Sequence, residues 1–256
     1  MSRRIVIAGD WHINADWAIS ALGAIAASGI KDIYHVGDFG FWPDARGEEY
    51  LRVIDSHLAS TGSSLVVTPG NHDDYAFINS LDLDSEGFLR ASDNVKVIPR
   101  GHRWSVDGVS FVSLGGAASI DYETRTEGMN WWREEAITYG DVMRTAGGGN
   151  ADVMIAHDAP NGVEALSWTS KADTKKHSPE ALMYSAESRY MMTHAVDGVR
   201  PKVFFHGHYH NAYMETVNLG LPDDLYKVMS VGLGKDDETG NLAVLDLTDL
   251  SVKFLD

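Results

Sequence analysis

The chain has no cysteine among its 256 residues. That absence removes disulfides, thiolate metal sites and cysteine nucleophiles together. Basic residues are also scarce: 21 Lys and Arg stand against 37 Asp and Glu, for a formal charge of −16. A surface built to coat nucleic acid matches phosphates with Lys and Arg, so extended nucleic-acid binding is not expected. A small anion remains compatible, provided that its site supplies its own positive charge. Long apolar runs are missing too. The stretch "AISALGAIAASGI" is broken by Gly23 and Gly29 and is too short to span a bilayer, so it reads as a buried helix. "SRRIVIAGD" meets an acid before any signal-type apolar region can form, so no targeting segment, no membrane association and a cytoplasmic location are expected. There is no G-x-S-x-G elbow, and "GLGKDDET" lacks the spacing of a Walker A loop. No Pro- or Ser-rich linker, low-complexity tract or close repeat interrupts the chain, which predicts a single domain over residues 1–256.

What is present is an alternation of strand and helix patterns around an apolar fraction of 44%. "RRIVIAGD" is a β-branched run, residues 15–28 carry a helical apolar pattern, and "DIYHVGD" is a second strand. "EEYLRVIDSHLAS" is an amphipathic helix, and "SLVVTPGNHD" is a third strand. The β-α-β-α-β series predicts a mostly parallel sheet with helices on its faces. Next, "VKVIP" and "RWSVDGVSFVSLGG" read as antiparallel strands, with Asp107 and Gly108 as a hairpin turn. "ADVMIAHD" and "KVFFHGHYH" enclose a helix from about Pro179 to Val196, and the tail is strand-rich. Two packed sheets follow from this order.

Five of these strands end in residues of metal-ligand type: "GDWH", "GDFG", "GNHD", "AHD" and "GHYH". In open α/β sheets the ligand site lies beyond the carboxyl ends of the strands, where such loops meet. Asp and Asn after Gly are ordinary turn and cap residues singly, but five sets in register are not. The inventory is Asp10, His12, Asp38, Asn71, His157, His208 and His210. In an extended chain His206, His208 and His210 would share one side. Seven mixed O and N donors exceed the needs of one tetrahedral zinc and suit two metals sharing a carboxylate. Such a pair, about 3.5–4 Å apart, activates a bridging water and clamps a phosphoryl group in displacement. Two carboxylates against two ions leave a local positive surplus, which reconciles the acidic chain with an anionic substrate.

The ordered set D-x-H, GD, GNHD, H and GHxH resembles the calcineurin-like metallophosphoesterase family over residues 10–210, and the segment "GGAASIDYETRTEGMNWWREE" resembles one found in its small bacterial and bacteriophage members. The resemblance implies an α/β fold, a four-layer sandwich of two mixed β-sheets flanked by helices. It places Asp10, His12 and His210 on one metal, Asn71, His157 and His208 on the other, and Asp38 between them. It also makes His72 the proton donor to the leaving oxygen, a role worth ~10²–10⁴ in rate for poor leaving groups. Donors of this kind suit Mn or Fe, with Zn, Co or Ni as further fits. The chain departs from the GDxxDRG pattern of the protein Ser/Thr phosphatases and symmetrical dinucleoside polyphosphatases, reading "GDFGFWPD" with Phe41 at the second acid. Those two substrate classes are therefore set aside, and Asp73 and Asp44 become candidates to orient His72. His206 matches no required position and is either a second-layer partner or a packing residue. His35, His57, His102, His177 and His194 read as surface or packing residues.

The segment "GGAASIDYETRTEGMNWWREE" has two readings. One is a capped helix start, with Trp131 and Trp132 covering the core and Glu134 and Glu135 favouring the helix N-terminus. The other is a rim over the metals, with Arg125 meeting a substrate phosphate and an indole of Trp131 or Trp132 meeting a base. The expected activity is metal-dependent hydrolysis of small phosphodiesters, with nucleotides such as 2′,3′-cyclic nucleotides as substrates. A nuclease of the same fold would need a basic track, and a non-catalytic scaffold would be expected to have lost ligands.

Overall fold

Alternation along the first strand sets the layers. The computed structural model describes residues 3–171 and 176–255. Its strand β1 (Arg4–Ala8) sends Ile5 and Ile7 into one apolar cluster and Val6 and Ala8 into another. A strand apolar on both faces needs cover on both. On the Val6 side that cover is α1 (Ala15–Ser28) and, after β2 (Asp32–His35), α2 (Ala45–Thr61), through Leu22, Ile25, Ile54 and Leu58. Asn14 and Asp44 cap these helices, and Gly29 and Gly62 end them in the left-handed conformation. β3 (Ser64–Val67) continues the parallel series β1, β2, β3.

α3 (Tyr75–Asn79), β4 (Leu89–Arg90) and β5 (Val95–Val97) follow. Here the structure corrects the sequence reading of "VKVIP". β5 pairs parallel with β3 in the first sheet and does not join the strands that follow it. Its Val95 and Val97 pack in the cluster under α1 and α2, so side-chain burial decides its sheet. β6 (Arg103–Val106) and β7 (Val109–Leu114) form the expected hairpin, with φ of 49° at Asp107 and 82° at Gly108, as a two-residue turn of that hand requires.

The second half adds α4 (Tyr139–Gly147), β8 (Val153–Ala156), α5 (Pro179–Val199) and β9 (Val203–His206), then β10 (Tyr213–Leu221), β11 (Asp224–Gly232), β12 (Leu242–Asp246) and β13 (Val252–Phe254). Two mixed sheets result, ordered β13-β12-β1-β2-β3-β5-β4 and β10-β11-β9-β8-β7-β6. Between the sheets lie Ile5, Ile7, Val36, Phe111, Ile155, Phe205 and Leu245. Met154 and Phe204 face the other way, onto Val142, Met192 and Val196 of α4 and α5. The order of layers is helices, sheet, sheet, helices. Among the described residues, no helix is long and apolar enough to cross a membrane.

A second correction concerns residues 131–135. No α-helix starts there: Arg133–Glu135 form one 3-10 turn, and α4 begins later under a Thr138–Asp141 capping box. Glu135 is fully buried and turned toward Ser119, so its carboxylate is not spent on a helix end.

Candidate metal centre

The loops that follow β1, β2, β3, β8 and β9 converge at one rim. Their backbones are unusual: His12, Asp38, His208 and His210 have φ of 46°, 53°, 64° and 51°. Non-glycine residues held there cost about 1–3 kcal/mol each and persist only where the surroundings over-determine them. Close approach sets the glycines as well. A Cβ on Gly70 would lie 2.2 Å from Asp38 Oδ1, and one on Gly207 would lie 2.0 Å from Asp10 Oδ1. The glycines before Asn71 and His208 are thus requirements of packing carboxylates against backbone.

Two groups of ligand atoms form, each with members within 4.8 Å of one another: Asp10, His12 and His210, and Asp10, Asp38 and His157. Asp10 belongs to both. Asp38 also faces both halves, with Oδ2 3.6 Å from His12 Nε2 and Oδ1 3.3 Å from His157 Nε2. Asp10 Oδ2 lies 3.3 Å from His210 Nε2 and accepts the His208 N–H at 2.9 Å. The ring of His208 stands 5.2 Å from that of His157, and the ring of His210 stands 4.9 Å from that of His12. The two histidines therefore separate into different halves, but not by strand alternation. β9 ends at His206, and 208 and 210 sit in a left-handed turn beyond it.

The donor set fits metal ions. His157 Nδ1 donates to the Val36 carbonyl at 2.9 Å, which leaves Nε2 as a lone pair. That lone pair faces Asn71 Oδ1 at 2.9 Å and Asp38 Oδ1 at 3.3 Å. Three electron-rich atoms aimed at one spot need a cation between them, a metal ion or, without one, a proton on Nε2. Asp10 Oδ1 is buried with no hydrogen-bond partner among the described residues, as expected of an atom reserved for a metal. Electrostatics agree. Burial drives His157 toward its neutral form, yet Asp38 and Asp10 hold its pKa up at about 10. His12 shows the same opposition, burial against Asp38, Asp10 and Asp236, and rests at about 9. Asp38 stays well below the usual carboxylate range: its burial is overcome by the charges of His157 and His72. Burial leaves His208 at about 4, neutral and free to ligate.

The remaining predicted residues are placed as follows. His72 lies beside the centre, its backbone N–H donating to Asp38 Oδ1 at 2.8 Å. Neither Asp73 nor Asp44 orients its ring. Asp73 accepts from the backbone of Gly40, Phe41 and Gly70, tying two ligand loops together, and Asp44 caps α2. Arg125 is the neighbour instead, with Nη1 2.8 Å from His72 Nδ1 and Nη2 3.2 Å from Nε2. Asp121 grips the same guanidinium at 2.8 and 2.9 Å. His72 is held below its ordinary pKa by burial, opposed by Asp38 and reinforced by Arg125. Trp132 is 4% exposed and offers no open face to a base; Trp131 is half-buried beside Tyr122. His206 is buried against the Tyr213 hydroxyl, and His35 accepts the Gly37 N–H beneath the Asp38 turn.

Sequence reasoning missed Asp236, whose Oδ1 is 2.9 Å from His12 Nδ1 while its own N–H donates to the Asp10 carbonyl at 2.7 Å. Its signal was available: "LYKVMSVGLGKDD" is a further apolar strand ending in glycine and acid. Asp121 and Ser119 carried no such signal.

The profile of the calcineurin-like phosphoesterase family matches residues 3–212. One solved chain superposes with a TM-score of 0.59 at 17% identity, over 99% of this chain and 98% of its own. The protein TT1561 of Thermus thermophilus does so with a TM-score of 0.57 at 11% identity, over 100% of both chains. A dimetal phosphatase from Danio rerio gives 0.53 at 11% identity, over 96% of this chain and 93% of its own. At these identities the likeness is one of fold. No curated protein is a significant match.

Proposed function

The chain belongs to the calcineurin-like phosphoesterase family, and from that premise we propose that it is a dinuclear-metal phosphodiesterase of small diesters, nucleotides such as 2′,3′-cyclic nucleotides among them. The observation that carries this reading is the double placement of Asp10 and Asp38, two buried carboxylates each facing both histidine groups. Asp10, His12 and His210 would hold one ion, Asn71, His157 and His208 the other, with Asp38 between them. Bound there, two divalent ions supply an activated water and a clamp on phosphate oxygens. Mn or Fe suits this donor set, and Zn, Co and Ni remain compatible.

The chain's own residues add the rest. His72 donates the proton to the leaving oxygen. Arg125, fixed by Asp121, donates to the neutral ring; protonation needs that contact to part, and an arriving phosphate favours it by attracting the guanidinium and by its own negative charge. Small substrates follow from charge: outside the metal pair a chain of −16 repels extended polyanions. The test is a panel of mono- and diesters, cyclic nucleotides and duplex DNA, assayed on metal-stripped protein with single metals restored. Higher kcat/KM on small diesters supports the reading, and equal or better turnover of duplex replaces it with a nuclease.

A further inference from the structure

Behind Asn71 a buried chain of hydrogen bonds leads away from the metal centre. Asn71 Nδ2 donates to Ser119 Oγ at 2.9 Å, and Ser119 Oγ donates to Glu135 Oε2 at 2.7 Å. Ser119 is 2% exposed and Glu135 is 0% exposed. We propose that Glu135 is a positioning residue which, through the Ser119 hydroxyl, decides which end of the Asn71 amide faces the metals. The proposal rests on the dinuclear reading above.

The argument is a count of hydrogens. Glu135 Oε1 accepts the Ser119 N–H at 2.7 Å and the Tyr184 hydroxyl at 3.0 Å. An ionised carboxylate has no hydrogen to give, so the single hydroxyl hydrogen of Ser119 goes to Oε2. Only lone pairs remain on Ser119 Oγ for Asn71. The amide must therefore present its NH₂ to Ser119, which leaves Oδ1 toward His157 Nε2 at 2.9 Å. The two ends of an amide are nearly the same shape, so packing cannot choose between them. The direction of hydrogen donation can.

Glu135→Gln keeps the shape of the side chain, removes its charge and reverses that direction. The Ser119 backbone N–H, a donor only, still requires an oxygen at the first position, so the new NH₂ falls opposite Ser119 Oγ and donates to it. The hydroxyl hydrogen is then released toward Asn71, whose amide turns its oxygen to Ser119 and its NH₂ to the metals. Calorimetric titration of metal-stripped E135Q with Mn²⁺ is expected to show one of two ions bound ~10–100-fold more weakly, with the other unchanged. Glu135 ionises at about 7 because it is buried, so the titration is run above pH ~8. N71D alone should weaken the same ion, since one hydroxyl hydrogen cannot serve two carboxylates. The double variant E135Q/N71D restores a consistent chain and is expected to recover the second ion. A merely structural role predicts additive losses and no rescue. Ser119→Ala, which removes the relay and leaves the carboxylate, should also weaken one ion selectively. Wild-type affinity for both ions in E135Q or in Ser119→Ala overturns the proposal, as does a double variant no better than its worse parent. Wild-type protein that binds fewer than two ions overturns the dinuclear reading itself, and the proposal with it.

Discussion

Replacing Asp236 by Asn tests whether the tail of the chain helps to build the metal centre. Asp236 Oδ1 lies 2.9 Å from His12 Nδ1, and its Oδ2 accepts from Asn14 Nδ2 at 2.8 Å. A carboxylate on the far nitrogen of a ligating histidine fixes the tautomer and makes the near nitrogen a better donor; its loss typically costs ~10–100-fold in metal affinity. That corresponds to about 1.4–2.7 kcal/mol for the ion at His12. Folding should suffer less. The side chains of His12 and Asp236 are 26% and 17% exposed, and partly solvated pairs contribute on the order of 1 kcal/mol or below. The assay is competition against a chelator of known affinity, with melting of the metal-free protein as a parallel measure. Asp237→Asn is the control: Asp237 also meets Asn14 Nδ2, at 3.1 Å, but in an exposed contact that does not include His12. Unchanged affinity in Asp236→Asn, or an equal loss in the control, refutes the reasoning.

His72→Ala should reduce hydrolysis of alkyl esters by ~10²–10⁴ and of activated aryl esters far less, because aryl groups leave without a proton; equal losses would reject the donor role. Gly207→Ala should expel metal at a stability cost of about 1–3 kcal/mol, since its Cβ would lie 2.0 Å from Asp10 Oδ1 although its backbone suits alanine; metal analysis and melting of the purified variant check this. Glu135 ionises at about 7 in the fold against an ordinary 4.5, so the native state keeps that proton longer than the unfolded chain does. Metal-free wild type should therefore lose, relative to E135Q, on the order of 3 kcal/mol as pH rises through that window. Parallel denaturation curves for the two proteins across that range would contradict this.

The loops that carry the candidate ligands were legible because each ends an apolar run in a carboxylate, amide or imidazole, after a glycine in all but the His157 loop. The layering was legible for a similar reason: the "IVIA" of β1 is apolar on both faces and so demands cover on both. What stayed hidden depends on contacts between distant segments. "VKV" declares a strand but not its sheet, which is decided by where Val95 and Val97 find cover. Asp236 ends an apolar run as the candidate ligands do, but its pairing with His12, 224 residues away, has no local pattern. Arg125 was visible as a charge, but its engagement with Asp121 and His72 exists only in three dimensions. Glu135, one of two adjacent acids after paired tryptophans, looked like a helix-end residue because burial cannot be read from a charge.

The central claim is that activity depends on two ions held together by the shared carboxylate of Asp38, and the direct measurement couples ion count to turnover. Metal-stripped protein is reloaded with Mn²⁺ while bound metal and hydrolysis of a 2′,3′-cyclic nucleotide are followed in the same samples. Wild type is predicted to take up two ions per chain, with hydrolysis appearing as the second binds, and Asp38→Ala to show neither. Full hydrolysis by chelated protein, or two bound ions and undiminished turnover in Asp38→Ala, would contradict the account.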